Sequence, residues 1–477
     1  MSVCLSFTFL STFRLQWRVQ RKRADTQMEV REGSMSFDIW KTTPFPLILN
    51  LYVWNITNQE EFLDGGKPVL QECGPYVWRE YHDKKGIEFH SNNTVTYLQQ
   101  RWWIWDEELS GSNSLDDVVF IMNPVPLSST WSVRHNPFTA MPFLNEAFNK
   151  MDEKAVVRTT VNELIFTGFQ DPVLDFVQKD IVAENGSLHF MLDILDLPPG
   201  LSDYDKFGWF YMRNLSLYYD GIFNMKTGSD DPKNVGKIDL WNYTRATPFF
   251  DSPCNAVVGS AGEYFEPDLQ RDEIVFYSSD LCMSMRLEYQ KDVDKSGLKA
   301  YRFFGSNNTF ANGSLIPGNE CYCVKGTCAP TGLLNAESCR MGSPAFISFP
   351  HYFNADPFLL DQVEGLSPDE DKHAFIMDIM PEAGVPVNVK ARMQINMKVT
   401  PYPGGRKGKI DILKKVPDIY LPMIWFEELA EVPEDMVGQL KALQFIKTTP
   451  TMTIVFSVML LLGLGMMAYL VYARLRM

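Results

Sequence analysis

Six cysteines, Cys254, Cys282, Cys321, Cys323, Cys328 and Cys339, fall within one stretch of the chain. Thiols this close either ligate a metal or oxidise to disulfides. A zinc site would use Cys321-Tyr322-Cys323 with Cys328, but paired Cys-x-x-Cys knuckles are missing. The nearest downstream histidine is His351. In an oxidising compartment the block reads better as a disulfide framework. Six cysteines allow 15 pairings, and spacing does not choose among them. Cys4 and Cys73 are left over and read as unpaired.

Catalytic patterns fail on inspection. There is no His-Glu-x-x-His. Gly259-Ser260-Ala261-Gly262 falls one residue short of a nucleophile elbow, since Val258 stands where the first glycine belongs. Gly404 to Lys409 is basic without P-loop spacing. Asp292-Val-Asp294-Lys-Ser296-Gly297 imitates half a calcium loop, but the bidentate glutamate position is Phe303, so it reads as a turn. Asp369-Glu370-Asp371 and Glu427-Glu428 read as solvated acidic surface. The six histidines are scattered. We expect no enzyme, no catalytic residue, no metal and no cofactor.

The net charge of −15 disfavours nucleic acid, which needs clustered Lys and Arg. The one dense basic run is Arg14, Arg18, Arg21, Lys22 and Arg23. Met452–Ala473 holds no charged residue and is closed by Arg474 and Arg476. At ~1.5 Å per residue such a helix covers the ~30 Å hydrocarbon core. Asn-x-Ser/Thr acceptors stand at Asn55, Asn92, Asn185, Asn214, Asn242, Asn307 and Asn312. Seven of them before the span imply an extracellular or lumenal surface. Residues 1–30 form an atypical segment. Their apolar part is short and the positive charges follow it, unlike a signal peptide. A lone C-terminal span would leave the body in the cytosol, so a second, N-terminal span is expected in the native protein.

Positioning elements are mostly strands. Leu47 to Trp54 is nearly all apolar and reads as a buried strand. Residues 389–399 alternate strictly. Val389, Ala391, Met393, Ile395, Met397 and Val399 form a dry face, and Lys390, Arg392, Gln394, Asn396 and Lys398 a wet one. The dry face reads as packed core, with the wall of a lipid cavity as the alternative. Phe138 to Lys154 shows helical spacing at Met141, Leu144, Ala147, Phe148 and Met151, and Val161, Leu164, Ile165 and Phe169 continue it. Pro433 opens a helix with Met436, Val437, Leu440 and Leu443 on one face. One large β-rich domain with loops fits better than two.

Several segments together resemble the class B scavenger receptors. That group includes fatty acid translocase, the lysosomal integral membrane proteins, and the insect sensory neuron membrane proteins and croquemort-type receptors. They are Arg31-Glu-Gly-Ser34 before Trp40-Lys41, Tyr52–Asn58, Lys67–Tyr76, Glu163–Pro172, the cysteine block, and Pro350-His351-Tyr352-Phe353. The resemblance covers roughly residues 30–473. It implies the disulfides Cys254–Cys321, Cys282–Cys339 and Cys323–Cys328. It implies a mainly β fold with some α: a large antiparallel β-barrel ectodomain over 31–450 with an internal hydrophobic tunnel. A small helical apex bundle lies over 137–165, a transmembrane helix over 451–473 and a cytoplasmic tail over 474–477. At the apex Lys150 matches a lysine implicated in fatty-acid contact. Lys154 and Phe148 join it as candidate ligand contacts, whereas a second family lysine is Asp152 here.

The implied function is a plasma-membrane receptor. It binds lipids (fatty acids, sterols) or lipoprotein and apoptotic-cell ligands, and passes lipid through the tunnel toward the membrane. An endolysosomal address is less favoured, because the tail lacks an acidic dileucine signal. The alternative is an adhesion or cargo-docking glycoprotein that takes a protein partner at the apex. Homo-oligomerisation is left open.

Overall fold

The computed structural model describes residues 26–177, 204–324, 326–447 and 449–475. The basic run, Cys4 and Asn185 lie outside them, as does most of the atypical segment 1–30. Fifteen strands follow in order: β1 Leu47–Ile56, β2 Leu70–His90, β3 Thr94–Trp105, β4 Val118–Met122, β5 Val156–Thr160, β6 Ile222–Lys226, β7 Ile238–Trp241, β8 Glu273–Ser278, β9 Met283–Lys295, β10 Leu298–Phe304, β11 Leu334–Asn335, β12 Ala345–Ser348, β13 Ile376–Met380, β14 Val385–Val399 and β15 Ile419–Glu431. Thirteen of them form one antiparallel sheet: eleven follow the path β7-β6-β3-β2-β1-β15-β14-β13-β10-β9-β8, and β12 branches from β14 with β11 paired to it. First and last strands of the chain's sheet, β1 and β15, pair at its centre, from Ile48↔Leu429 to Val53↔Ile424.

The sheet curls into a nearly closed barrel. Its free edges, β7 and β8, are joined by Gly259–Ala261. Ile238 N–H donates to the Gly259 carbonyl at 2.9 Å, and Ser260 N–H to Val275 at 2.8 Å. Tyr277 N–H returns to the Ser260 carbonyl at 2.8 Å. Gly259 has φ +92°, and a Cβ there would meet the Val275 carbonyl oxygen at 2.3 Å, so only glycine lets the seam close. The near-match to a nucleophile elbow is therefore structural. Ser260 is buried, and its hydroxyl donates to the Tyr264 carbonyl.

Leu47 to Trp54 is a strand whose inward residues Leu49, Leu51 and Val53 are buried. The half-calcium loop is the β9–β10 turn, where Ser296 and Gly297 both take positive φ, as a two-residue hairpin requires. Asp294 accepts from Gly297 N–H at 2.8 Å and pairs with Lys299.

Strand β14 departs from its pattern. Its expected wet face is dry: Arg392, Gln394 and Asn396 are buried. The turn Pro350–Tyr352 and the short helix Glu370–His373 cover it. Gln394 accepts from Trp54 Nε1 and from His351 N–H, and its amide donates to Asn396 at 2.8 Å. Arg392 holds Glu427. Periodicity reports faces correctly, but full satisfaction by hydrogen bonds lets a polar face be buried.

The apex also differs. Its main helix is Ala140–Met151, ended by Asp152 in a left-handed conformation. Strand β5 follows, so the helical spacing does not continue unbroken. Glu163–Thr167 is a single π-helical turn. A second apex helix, Pro124–Ser132, starts where the Asn123 side chain accepts from Val125 N–H.

At the other end, helix Glu434–Lys447 buries Val437, Leu440 and Leu443 against Leu298 and Ala300 of β10. The final helix runs Thr449–Leu475. Among the described residues no helix is long and apolar enough to cross a membrane. Side chains of 447–457 fall outside that description.

Candidate functional site

The barrel encloses a cavity of about 500 Å³. Inward positions of the central strands build its wall: Leu49 of β1, Met393 and Ile395 of β14, Phe426 of β15 and Ile347 of β12. Part of the dry face of β14 thus lines a cavity rather than solid core. A strap over 204–221 adds Phe207, Trp209 and Phe210 to the lining. Backbone bonds dock the strap, with Phe169 and Phe207 exchanging hydrogen bonds and Phe210 N–H donating to Ile165 at 2.7 Å. Most of this lining is hydrocarbon or aromatic ring, as in small-molecule sites.

One end is charged. Glu80 on β2, Arg101 on β3, Glu428 on β15, Arg213 on the strap, Asp280 and Arg340 converge there. The β2–β3 register sets Glu80 opposite Trp103 and His82 opposite Arg101, which puts all four on one face. Arg101 reaches Asp280 at 3.2 Å and Glu80 at 3.6 Å, and also holds Asp220. Arg213 reaches Asp280 at 2.8 Å. Arg340 donates to the Asp280 carbonyl. The Cys282–Cys339 disulfide clamps this contact, since its cysteines flank Asp280 and Arg340 closely in sequence. The structure also forms Cys254–Cys321 and Cys323–Cys328, the other two pairs the resemblance implies, and leaves Cys73 free.

Burial pushes Asp280 up, but Arg213, Arg101 and Arg340 outweigh it and hold its carboxyl below the ordinary range. Glu428 goes the other way. Burial, then the negative charge of Glu80, pushes it up to about 8. Glu428 is enclosed by protein yet faces the cavity, so it keeps some accessible surface. At neutral pH it is mostly a neutral acid, able to donate a proton to an acceptor in the cavity. Arg213 is 9% exposed, its guanidinium lies 4.1 Å from the Tyr219 ring and 4.9 Å from Phe210, and its Nε–H has no partner among the described residues. An unmet donor in a buried pocket is costly unless something accepts from it. Glu80, His82 and Glu428 also bring ligand atoms within 4.8 Å of one another. The His82 ring and Glu80 already share a hydrogen bond at 2.7 Å, and Arg101 stands beside them, which offsets the charge a cation would need.

Sequence reasoning missed this end. Glu427-Glu428 read as solvated surface, but Glu427 pairs with Arg392 and Glu428 points inward. A doublet on a strand sends one residue to each face, and that was the available signal. The apex candidates are not brought to the cavity. Phe148 is 1% exposed and packs in the principal core, so here it is a packing residue. Lys150 pairs with Glu146 at 2.7 Å and Lys154 with Asp152 at 2.6 Å, both on the surface.

Among the sequons, Asn92, Asn214, Asn242 and Asn307 are exposed, whereas Asn55 and Asn312 are half-buried. The Asn312 amide donates to the Ala329 carbonyl at 2.9 Å.

The motif Pro350-His351-Tyr352-Phe353 is explained outside the cavity. His351 donates from Nε2 to Glu72 at 2.6 Å while its Nδ1 accepts from Ser367 N–H. It stacks on His373 at 4.0 Å. Burial, then the neighbouring His351, pushes His373 down to about 3, so the His373 ring is neutral at physiological pH and its place in the stack is structural.

The CD36 family profile matches residues 1–474. The chain is 33% identical to Protein peste of Drosophila melanogaster over 444 residues, covering 92% of this chain and 76% of that protein. It is 32% identical to Scavenger receptor class B member 1 of Sus scrofa, covering 84% and 74%. With Lysosome membrane protein 2 of Homo sapiens it shares 29% identity, covering 94% and 88%. The chain belongs to the CD36 family, the class B scavenger receptors.

Proposed function

We propose that this scavenger receptor binds lipid in the barrel cavity and passes it toward the membrane at the cell surface. The supporting observation is the cavity itself, apolar along its walls and polar at one end. Each buried methylene gains roughly 0.8 kcal/mol, so the walls favour an acyl chain or a sterol ring system. Arg213 Nε–H and the protonated Glu428 offer donors to a carboxylate or hydroxyl head. In this reading the final helix is the membrane anchor, the barrel is extracellular, and exposed sequons carry sugar. Lys150 and Lys154 at the apex attract anionic ligands only weakly, because exposed ion pairs are worth little.

The test is lipid extraction from the purified full-length protein, followed by loading with labelled fatty acid or sterol. Saturable loading of about one ligand per chain is expected. Protein that yields no bound lipid and takes up neither label contradicts the proposal. A second reading, docking of a protein partner at the apex, is favoured by Phe138, which is 74% exposed beside the apex helix. Loss of partner binding on Phe138→Ser, with lipid loading intact, would support it.

A further inference from the structure

Two of the sequons differ from the other described ones. In Asn214-Leu215-Ser216 and Asn242-Tyr243-Thr244 the middle residue is a large apolar side chain turned to solvent, with Leu215 57% and Tyr243 73% exposed. Met212 and Tyr218 on the same strap are 56% and 71% exposed. By contrast the middle residue of the Asn55 sequon, Ile56, is buried, and those at Asn92, Asn307 and Asn312 are Asn93, Asn308 and Gly313.

The backbone forces this display. Leu215 has φ +62° and Tyr243 φ +63°, a left-handed conformation that bulky residues rarely adopt. The Asn242 turn meets the C-terminal end of the strap: Asn242 N–H donates to the Ile222 carbonyl, and Trp241 Nε1 to the Asp220 carbonyl. Both acceptor asparagines are held in the same way. Asn214 Oδ1 accepts from Trp103 N–H at 3.2 Å, and Asn242 Oδ1 accepts from Ile222 N–H at 2.8 Å. Neither Nδ2 makes a hydrogen bond among the described residues, so each amide nitrogen stands free for a sugar. Asn312 is the opposite case, with its Nδ2 already engaged.

We infer that Asn214 and Asn242 carry N-glycans whose apolar sugar faces lie over Met212, Leu215, Tyr218 and Tyr243. The glycans shield the outer face of the strap whose inner face lines the lipid cavity. Large apolar side chains grouped on a soluble surface invite association unless something covers them. Here the chain supplies the cover at the same residues. The inference rests on the reading of the barrel as extracellular.

Peptide mapping of the full-length protein from a secretory host, with enzymatic deglycosylation in heavy-oxygen water, separates the two ideas. Glycan at Asn214 and Asn242 is expected. Glycan at Asn92 or Asn307 with both strap sites bare overturns the inference and leaves the extracellular reading standing. No glycan at any sequon overturns both. The variant N214D/N242D then removes the sugars and keeps both Oδ1 acceptors. It is expected to raise apolar-dye fluorescence and shift the protein toward self-associated species. Adding Leu215→Asn and Tyr243→Asn, residues that tolerate left-handed backbone, should reverse both changes. Unchanged dye binding and association in N214D/N242D would overturn the shield. So would binding of the glycosylated protein to phosphatidylcholine vesicles through Leu215 and Tyr243, which would make the patch a lipid-docking face.

Discussion

Replacing Gly259 with alanine should open the barrel seam, and a second glycine supplies the control. Gly259 (φ +92°) and Gly262 (φ +107°) both sit in left-handed backbone, but only at Gly259 would a Cβ meet anything, the Val275 carbonyl at 2.3 Å. Space around Gly262 is open. The conformational cost for an L-residue there is about 1–2 kcal/mol at either position. At Gly259 the clash must also push β8 away. That weakens the Ile238–Gly259 and Ser260–Val275 hydrogen bonds, worth about 1 kcal/mol each. Gly259→Ala therefore costs about 3–4 kcal/mol and Gly262→Ala about 1–2 kcal/mol. For a body of roughly 400 residues, unfolding entropy near 2 cal/mol/K per residue makes each kcal/mol worth about 1 °C. Scanning calorimetry at matched heating rates should show Tm falling by about 3–5 °C in the first variant and about 1–2 °C in the second. Equal shifts, or a neutral Gly259→Ala, would refute the idea that this segment closes the barrel.

Ile395→Trp at the cavity wall should displace about three methylenes of a bound chain, costing about 2.4 kcal/mol, or roughly 60-fold in Kd, with little change in Tm; unaltered affinity in a fluorescent fatty-acid titration would count against cavity binding. Phe148→Ala should destabilise by about 3–5 kcal/mol, because the ring is fully packed, while Lys150→Ala leaves Tm unchanged; thermal melts decide. Glu428, whose carboxyl is raised to about 8, binds its proton more tightly folded than unfolded. Its contribution to stability is thus complete below the unfolded pKa and is lost as pH rises toward 8. Glu153, raised to about 7 by burial and then Asp171, acts with the same sign over a lower range. His373, pushed down to about 3, has the opposite sign but is spent by about pH 6.5. Between pH 7 and 8, Glu428→Gln should therefore flatten the fall in denaturation midpoint; an unchanged slope would sink the assignment.

Two central strands were legible locally, β1 by a nearly unbroken apolar run and β14 by alternation, while the barrel itself was an implication of the family resemblance. Period alone could not say what covers each face. Burial of Arg392, Gln394 and Asn396 depends on Pro350–Tyr352 and Glu370–His373, which reach β14 only through the tertiary fold. The apex was overextended, because Val161 and then Leu164 and Ile165 in the π-turn keep helical spacing beyond an intervening strand. Phe148 looked like a ligand contact beside Lys150, but one turn of helix puts neighbouring residues on different faces. The charged end of the cavity was invisible for a different reason. Glu80, Arg101, Arg213, Asp280, Arg340 and Glu428 are far apart in sequence, and only sheet register, the docked strap and the Cys282–Cys339 bond bring them together.

The most direct measurement is photocrosslinking of the full-length protein with a diazirine-tagged fatty acid, with the labelled residues mapped by mass spectrometry. Saturable labelling at Phe207, Ile395 or Phe426, competed by unlabelled lipid and lost in Ile395→Trp, is the expected result. Labelling that does not saturate, or that falls only on the apex around Lys150, would contradict a receptor that holds lipid inside its barrel.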